Sequence, residues 1–339
     1  MQTQILPPNK ENIALAAKLL QNGEIVGIPT ETVYGLAASA LNGEAVKKIF
    51  SAKGRPQDNP LISHISSMDM LPMISQNIPS ACYTLANAFW PGPLTMVLPR
   101  SADVADEVCA GLDTAAVRMP SHKAALDIIA AAGVPLAAPS ANLSGSPSPT
   151  TARHVMDDMD GRIPLIIDGG ACAVGVESTV ISLCTQAPLL LRPGHITKEQ
   201  LEAALGCEVL LSQAVLHMLP QGAQAPSPGM KYKHYAPKAE VILIKGSLNA
   251  YNKYVNAHAQ SGTYRLCYLG EENLSAVPCV TYGHENSSDE QANRLFSALR
   301  ELDAKNAKTV YARCPEESGE FMAVYNRILR SAAFNIVEV

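Results

Sequence analysis

The sequence predicts an α/β protein made of two domains, and three observations lead to this prediction. Helix-type and strand-type patterns of apolar residues alternate along most of the chain, which is typical of the α/β class. The chain has 339 residues, more than the roughly 150 residues of an average domain. Hydrophobic residues make up 47% of the chain and charged residues 17%. Each domain can therefore bury a core, and an intrinsically disordered chain is excluded.

Charge and composition argue against several classes of protein. The net charge of −5 and the aromatic content of 5% disfavour a protein whose main task is to bind nucleic-acid phosphate. No apolar run approaches the roughly 18 residues of a membrane-spanning helix, and the N-terminal residues do not resemble a signal peptide. The 8 cysteines form no CxxC pair, which favours reduced thiols over structural zinc. We therefore expect a cytoplasmic protein.

The elements of the first domain follow from caps and from apolar periodicity. Asn9 can cap a helix that ends at Gly23, a strand follows at 24–29, and a helix at 42–52 ends at Gly54. The remaining strands are predicted at 60–65, 94–98, 115–119, 134–138, 164–167, 179–183 and 189–191, and the remaining helices at 80–89, 123–132, 151–159 and 198–205. Because several strands follow one another without a helix between them, we expect a twisted mixed sheet rather than a parallel one.

The chain divides at a linker rich in proline and glycine, which contains the basic and aromatic run MKYKHY. We place the first domain at 1–211, the linker at 212–238 and the second domain at 239–339. The second domain is predicted to have strands at 241–244, 264–269, 277–281 and 309–311, and helices at 248–259, 289–302 and 319–332. This pattern indicates a small Rossmann-like α/β domain, although it has no GxGxxG motif for a dinucleotide.

The first group of polar residues that could carry chemistry lies directly after the first long strand. The chain has no P-loop, HExxH, GxSxG or EF-hand motif. The run PTETVYGL stands where α/β proteins usually bind their ligands, at the end of a strand. The alternative is a plain turn into a helix capped by Thr30 or Thr32.

A second group follows the helix at 42–52. Lys53 and Arg55 flank Gly54 beyond the predicted helix end, where both cations could converge on one anion. A basic helix end that complements the helix dipole is the alternative. His64 lies in a short apolar strand, where a histidine with a purely structural role is also common.

Further polar residues accompany the later strands. Arg118 stands among apolar residues, so it must reach the sheet edge or be paired, and a carboxylate ligand would suit it. A loop at 139–150 rich in serine, asparagine and glycine can offer hydroxyl and N–H groups to an anion, or be a simple connection. Glu177 and Ser178 precede one strand and Arg192 ends another. Together these residues suit a polyanion and a small polar molecule, with no nucleophile of the protein.

These motifs resemble those of the L-threonylcarbamoyladenylate synthase family, which has a YrdC-like domain. The matching runs occur in the family's order: PTETVYGLA, KIFSAKGRPQDNPL, WPGPLT, AVRMPSH, APSANLSGSPSPT, GVESTVIS and LLRPG. The linker PSPGMKYKHYAP and the second domain resemble the family's longer, two-domain form. The resemblance implies a YrdC-like twisted mixed sheet with a concave basic pocket, followed by the smaller Rossmann-like domain.

The resemblance also implies an activity. The enzyme would be a nucleotidyltransferase that makes threonylcarbamoyl-AMP from L-threonine, bicarbonate or CO₂, and ATP, and releases pyrophosphate. Mg²⁺ would be held mainly by the ATP phosphates. The product would pass to a tRNA threonylcarbamoyl transferase complex for N6-threonylcarbamoylation of adenosine 37 in tRNAs that read ANN codons, and a weak contact with tRNA or double-stranded RNA is possible.

The residues that match the family's motifs take the family's roles under this resemblance. The threonine contacts would be Thr32, His64, Arg118, Ala138 through its backbone, and Ser178. The ATP contacts would be Lys53, Arg55, Asn59, Thr114, Ser140, Ser148, Arg192 and Tyr235, with His234 as the alternative to Tyr235. Because the product is a reactive mixed anhydride, we expect the linker to close over the pocket as a lid.

Three other functions compete with this interpretation. A related domain forms carbamoyl-adenylate in hydrogenase maturation, but that family adds acylphosphatase-like and zinc-finger segments that this sequence lacks. An RNA-binding protein could use a basic patch of Lys47, Lys48, Lys53 and Arg55, which the acidic composition disfavours. A regulatory binding module is the third alternative.

Overall fold

The structure is a computed structural model that describes residues 2–218 and 235–339. The described residues form two compact units. The first unit comprises the described residues of Met1–Ser144, Pro149–Ala173 and Glu177–Lys231. The second comprises those of Gly145–Ser148, Val174–Val176 and Tyr232–Val339.

The first unit contains an 11-stranded sheet with helices on both faces. Its strands are β1 (Gln4–Leu6), β2 (Val26–Ile28), β3 (Gly35–Ser39), β4 (Ile62–His64), β5 (Leu94–Pro99), β6 (Thr114–Arg118), β7 (Leu136–Ala137), β8 (Leu165–Ile167), β9 (Thr179–Ser182), β10 (Leu189–Arg192) and β11 (Leu210–Leu211). Its helices are α1 (Lys10–Gln21), α2 (Gly43–Lys53), α3 (Leu71–Ile74), α4 (Ser80–Phe89), α5 (Asp106–Cys109), α6 (Lys123–Ala132), α7 (Ala152–Met159) and α8 (Lys198–Leu205).

The order of the strands is β1-β8-β2-β3-β7-β4-β6-β5-β9-β10-β11. Parallel pairs such as β4 with β6 and β5 with β9 alternate with antiparallel pairs such as β2 with β3 and β5 with β6. The predicted mixed sheet is therefore confirmed. A mixed order of this kind brings β4 and β6 side by side, with the carboxyl ends of both strands at one edge.

The core of the first unit lies on both faces of the sheet, as the side-chain alternation of strands requires. In β3, Leu36 and Ala38 pack into the cluster that contains α2 and α4, whereas Ala37 packs into the cluster that contains α1 and α6. Met96 and Val97 of β5 divide between two clusters in the same way. The sheet is thus buried on both faces, which leaves the strand ends to bind a ligand.

The second unit has a smaller sheet, all of it parallel, with the order β14-β13-β15-β12-β16. Its strands are β12 (Glu240–Lys245), β13 (Thr263–Cys267), β14 (Cys279–Thr281), β15 (Thr309–Arg313) and β16 (Ile336–Glu338), and its helices are α9 (Leu248–His258), α10 (Ser288–Ala304) and α11 (Met322–Ser331). A parallel sheet with crossover helices is a Rossmann-like arrangement, as the sequence predicted.

Several elements differ from the prediction. The strands β1, β3, β11 and β16 and the short helices α3 and α5 were not predicted, so the second unit has 5 strands rather than four. The predicted helix at 319–332 begins with a turn of 3₁₀ helix at Gly319–Phe321, and α11 starts only at Met322. In contrast, α4, α6 and α8 have the bounds that the sequence predicted.

No helix in the described part of the chain is both long enough and apolar enough to cross a membrane.

Candidate active site

The turn between β2 and β3 presents the first group of polar side chains. The Thr30 hydroxyl donates to the carbonyl oxygen of Val33 over 2.6 Å and accepts from the backbone N–H groups of Thr32 and Val33, both at 3.2 Å. The Oγ1 atoms of Thr30 and Thr32 lie 2.9 Å apart. The alternative that Thr30 or Thr32 caps a helix is wrong, because the chain turns directly into the antiparallel strand β3.

Arg118 ends β6 and is only 3% exposed. Its Nη1 donates to Oγ1 of Thr32 over 2.8 Å, and its Nε donates to the carbonyl oxygen of Gly92 over 3.2 Å. Its Nη2 lies 2.5 Å from Oε1 of Glu31. Of the two alternatives, reaching the sheet edge or being paired, the structure shows pairing, and the carboxylate comes from Glu31 of the chain rather than from a ligand.

Glu31 is buried with Arg118 and stays ionised. Burial acts to raise the pKa of Glu31, but the charge of Arg118 and the donors in close contact with the carboxylate together outweigh burial, so the pKa is lowered from its ordinary value. A buried ion pair of this kind is costly to break on one side, because the remaining charge is then left unpaired. The pair is therefore a fixed feature of the site.

His64 ends β4 and stands opposite Arg118 in the parallel register of β4 and β6. Its Nδ1 lies 3.2 Å from the carbonyl oxygen of Ile62. Burial, and next the charge of Arg118, lower the pKa of His64 to about 3. The imidazole is therefore neutral near pH 7 and can act there only as a hydrogen-bonding group.

Ala138, whose backbone was predicted to contact threonine, lies beside the start of β4. Its N–H donates to the carbonyl oxygen of Ile62 over 2.9 Å. The structure thus brings together Thr32, His64 and Arg118, whereas Ala138 lies beside Ile62, at the other end of the short strand β4 from His64.

Ser178 and Arg192 contact each other near the ends of β9 and β10. The Ser178 hydroxyl lies 2.7 Å from Oγ1 of Thr95 in β5. Arg192 Nη2 donates to that hydroxyl and its Nε donates to the carbonyl oxygen of Ser178, both over 3.0 Å. Ser178 was predicted to bind threonine and Arg192 to bind ATP, so their contact would place the two ligands side by side.

Lys53 is the last residue of α2, not a residue beyond the helix end, and it is 3% exposed. Its ammonium donates to the carbonyl oxygens of Ser140 and Asn142 over 2.5 and 2.6 Å. The Ser140 hydroxyl donates to Oδ1 of Asn142 over 2.5 Å, and the N–H of Ser144 donates to the carbonyl oxygen of Lys53 over 3.0 Å. Lys53 therefore anchors the polar loop after β7 to the end of α2.

Arg55 and Asn59 lie on the segment between α2 and β4. Arg55 is half-buried, and its Nη2 donates to the carbonyl oxygen of Asn59 over 3.0 Å. The Asn59 side chain is fully buried, and within the described residues neither its Oδ1 nor its Nδ2 makes a hydrogen bond. An unpaired buried amide is costly, which makes Asn59 a candidate ligand contact.

The predicted residues occupy two ends of the same pair of strands. Thr114 begins β6, at the end opposite Arg118, and Asn59 precedes β4 at that same end. Four steps of about 3.3 Å along β6 separate Thr114 from Arg118 by about 13 Å. A small ligand cannot contact both ends, whereas an extended nucleotide next to a small molecule could.

Two of the predicted ATP contacts belong to the second unit. Ser148 is fully buried there. The ring of Tyr235 packs on Phe296 with ring centroids 5.3 Å apart, and the guanidinium of Arg327 lies 5.5 Å from the Tyr235 ring centroid. His234 and the other linker residues from 219 to 234, on which the predicted lid depends, lie outside the described residues.

Three neighbours of the predicted site were missed by the sequence analysis. Glu31 was quoted within PTETVYGL without a role, and the same holds for Gly92 and Thr95 within WPGPLT. The need of Arg118 for a buried counter-charge indicates an acidic partner, but it does not single out Glu31 from the other acidic residues next to strands. The sequence carries no comparable signal for Gly92, which contributes only its carbonyl oxygen.

Comparisons with known proteins identify the family to which the chain belongs. Residues 18–194 match the family model described as "Telomere recombination" (Sua5, YciO and YrdC), and residues 196–333 match the one described as "Threonylcarbamoyl-AMP synthase, C-terminal domain". The threonylcarbamoyl-AMP synthase of Pyrococcus abyssi is 44% identical over 330 residues, which cover 96% of each chain. That of Bacillus subtilis is 43% identical over 340 residues, 99% of this chain and 97% of the relative.

A solved structure is similar over the whole chain. It is the crystal structure of P. abyssi Sua5 complexed with L-threonine, with a TM-score of 0.93 and 41% sequence identity, and the match covers 100% of both chains. The fold and the site define a two-domain protein of the YrdC-like class, with an α/β unit that carries the polar site and a Rossmann-like second unit. The chain belongs to the threonylcarbamoyl-AMP synthase family.

Proposed function

We propose that the first unit of this threonylcarbamoyl-AMP synthase binds L-threonine at the carboxyl ends of β4 and β6, and ATP beside it. The observation that supports this most is the buried guanidinium of Arg118, which stands next to the Thr32 hydroxyl and the neutral imidazole of His64. A guanidinium binds a carboxylate through paired N–H groups. The hydroxyl and the imidazole offer hydrogen bonds to the polar groups of a small amino acid.

The reaction needs positioning and charge neutralisation more than a protein nucleophile. The amine of threonine adds to CO₂ and forms a carbamate. A carbamate oxygen then attacks the α-phosphorus of ATP, and the bond to the leaving pyrophosphate breaks. We propose that Arg55, Asn59, Thr114, Ser140 and Arg192 of the first unit contact ATP, and that Lys53 adds positive charge while it holds the loop at Ser140 and Asn142. The contacts of Ser148 and Tyr235 with ATP, which the family resemblance implies, stay predictions, because both residues belong to the second unit.

Mg²⁺ enters this proposal with the nucleotide. Where the structure describes the chain, no group of three or more histidine, cysteine, aspartate or glutamate side chains is placed to hold a metal ion. The donors at the proposed ATP contacts are guanidinium, ammonium, amide and hydroxyl groups, which suit phosphate oxygens. The ion, carried by the triphosphate, would neutralise its charge as pyrophosphate leaves.

The product would serve tRNA modification under the same proposal. A threonylcarbamoyl group joined to AMP is an activated mixed anhydride, so a transferase must consume it soon after its release. We propose that a tRNA threonylcarbamoyl transferase complex is this consumer and that the acceptor is N6 of adenosine 37.

The proposal is tested by measuring pyrophosphate release from ATP and Mg²⁺, with L-threonine and bicarbonate each added or omitted. We expect release only when both are present. Arg55→Ala should lower the rate at least tenfold, since it removes a cation from the proposed triphosphate site. Arg153→Ala is the matched control, because Arg153 pairs with Asp157 on an exposed helix face with 79% of its side chain accessible.

Two results would overturn the proposal. Release of pyrophosphate without threonine would indicate a different adenylation or a carbamoyl transfer. A folded protein that releases no pyrophosphate under any of the four conditions would show that this chain does not catalyse the family's reaction.

A further inference from the structure

Glu31 is the buried charge at the proposed threonine site for which the mechanism above has no use. It is 7% exposed, and its Oε1 lies 2.5 Å from Nη2 of Arg118. Within the described residues, neither of its carboxylate oxygens accepts a hydrogen bond of regular geometry. The backbone N–H groups of Glu31 and Ser121 lie close enough to lower its pKa, but they add no positive charge. A carboxylate has about four acceptor positions, so Glu31 can accept a further hydrogen bond beside Arg118 and these two N–H groups.

Arg118 has a matching surplus of donors. A guanidinium carries five N–H groups, and the contacts to Gly92, Thr32 and Glu31 occupy one group on each nitrogen. One N–H group remains on each of Nη1 and Nη2. The ion pair therefore offers two donors and a carboxylate side by side.

Two further titratable groups among the described residues lie close to this ion pair, and both are neutral near pH 7. His64 and Cys172 are the neighbouring titratable groups that sense both Glu31 and Arg118. His64 is neutral near pH 7, since burial and the charge of Arg118 lower its pKa to about 3. Burial raises the pKa of the Cys172 thiol to about 12, so this group is neutral too. The local charge is thus one positive and one negative group, in contact.

We propose that Glu31 and Arg118 together bind the zwitterionic form of the α-amino acid, with the carboxylate of the ligand on Arg118 and its α-ammonium group on Glu31. This inference rests on the proposed threonine site and adds Glu31 to it as a contact for the substrate amine. An α-amino acid carries a negative carboxylate and a positive α-ammonium group next to each other. Arg118 and Glu31 present the complementary positive and negative charges side by side. Binding then leaves no charge unpaired in the buried site.

The same arrangement has a consequence for the reaction. The α-ammonium group loses two protons as its nitrogen takes up CO₂ and becomes a carbamate; bicarbonate takes up one of them when it releases CO₂ and water, and the other passes to solvent. The nitrogen is then uncharged and the new carbamate group is negative. Glu31 attracts the substrate amine before this step and repels the carbamate after it. The carbamate oxygens are thereby directed away from Glu31.

The test compares two ligands on two forms of the full-length protein by calorimetry. The ligands are L-threonine and (3R)-3-hydroxybutanoate, which keeps the carboxylate and the hydroxyl but lacks the α-ammonium group. In the wild type, we expect the analogue to bind at least tenfold more weakly. In Glu31→Gln, threonine should lose at least tenfold in affinity while the analogue binds as well as before or better, because Arg118 has lost its counter-charge.

Each other outcome is informative. If Glu31→Gln loses equal affinity for both ligands, Glu31 only maintains the structure. If it gains equal affinity for both, Glu31 is only a counter-ion that competes with the ligand. Either result overturns the proposal. If Glu31→Gln does not fold, two other measurements decide. The first compares the affinities of the wild type for threonine and for the analogue. The second makes the same comparison in Glu31→Asp, which keeps the negative charge and should keep the preference for threonine. Glu24→Gln is the matched control, since Glu24 forms an ion pair with Lys48 on the surface. Wild-type protein that binds neither ligand would refute the threonine site itself.

Discussion

Burial and the charge of Arg118 together determine the protonation of the individual residues at the site. His64 and Glu31 lie next to the same arginine, yet one is neutral and the other charged. Desolvation and the positive charge of Arg118 both disfavour a second cation on His64. For Glu31 the arginine acts in the opposite direction to burial and prevails. The site thus presents one cation, one anion and one neutral donor or acceptor to its ligand.

The lowered pKa of His64 makes the stability of the protein depend on pH. Unfolding frees the imidazole to take up a proton below its ordinary pKa of 6.5, whereas the folded protein takes none up until about pH 3. The free energy of unfolding should therefore fall as the pH is lowered from 7 to 5, by about 2 kcal/mol from this group. Urea unfolding of the wild type and of His64→Gln at both pH values measures it.

In His64→Gln, the free energy of unfolding should fall by about 2 kcal/mol less between pH 7 and pH 5 than in the wild type. An equal fall in both proteins would show that His64 is protonated in the folded state as readily as in the unfolded one.

At the scale of elements, helices were predicted better than strands. Caps identify the ends of helices locally, as for α2, where the Asn42 side chain accepts from the N–H of Ala45 over 3.1 Å. The strand β3 has the sequence GLAAS, whose small residues have little preference for strands, and it forms because it pairs with β2 and β7 while helices cover both of its faces. Such tertiary stabilisation leaves no pattern in the segment itself.

At the site, too, local motifs could be predicted from the sequence better than contacts between distant residues. Motifs at strand ends indicated the region of the site and, through the family resemblance, its ligands. Partners that are distant in sequence could not be predicted from spacing, such as Lys53 with the carbonyl oxygens of Ser140 and Asn142. They depend on the order of strands in the sheet.

Gly54 allows a prediction about the end of α2. It has a φ of +62°, and nothing lies within 4 Å of the place where a Cβ would be. Gly54→Ala should therefore cost about 1 kcal/mol of stability through backbone strain alone. Since Arg55 follows directly, we also expect a higher KM for ATP. Urea unfolding and the kinetics of pyrophosphate release measure the two effects.

Gly206, at the end of α8, is the matched control. Its φ is +67° and the space around it is equally open. Gly206→Ala should cost the same stability without changing KM for ATP. An equal rise of KM in both variants would mean that lower stability, rather than the position of Arg55, causes it.

At the scale of the whole molecule, charges on the surface are largely balanced. The proposed RNA-binding patch of four cations is not present as such, because Lys53 is buried. Lys47 pairs with Glu44 at 2.6 Å and with Glu107 at 3.3 Å, and Lys48 pairs with Glu24 at 2.8 Å. With a net charge of −5 for the chain, strong binding of RNA phosphate is disfavoured.

Ionic strength therefore separates the synthase from the RNA-binding alternative. Between about 50 and 200 mM KCl, threonine-dependent pyrophosphate release should change less than about threefold, because its contacts are few and buried. Binding of tRNA through phosphate contacts should weaken more than about tenfold over the same range. Filter binding and a pyrophosphate assay on one preparation measure both. Activity that falls in parallel with RNA binding would contradict the expectation.

The length of β6 fixes the distance between the two ends of the proposed site. The strand carries Thr114 at one end and Arg118 at the other, and hydrogen bonds to strands on both sides hold it in register. Insertion of one residue between them would lengthen the interval by about 3.3 Å and turn one of the two side chains to the opposite face of the sheet. Insertions and deletions should therefore accumulate in the loops around this strand, while its own length stays constant among proteins that join the same two substrates.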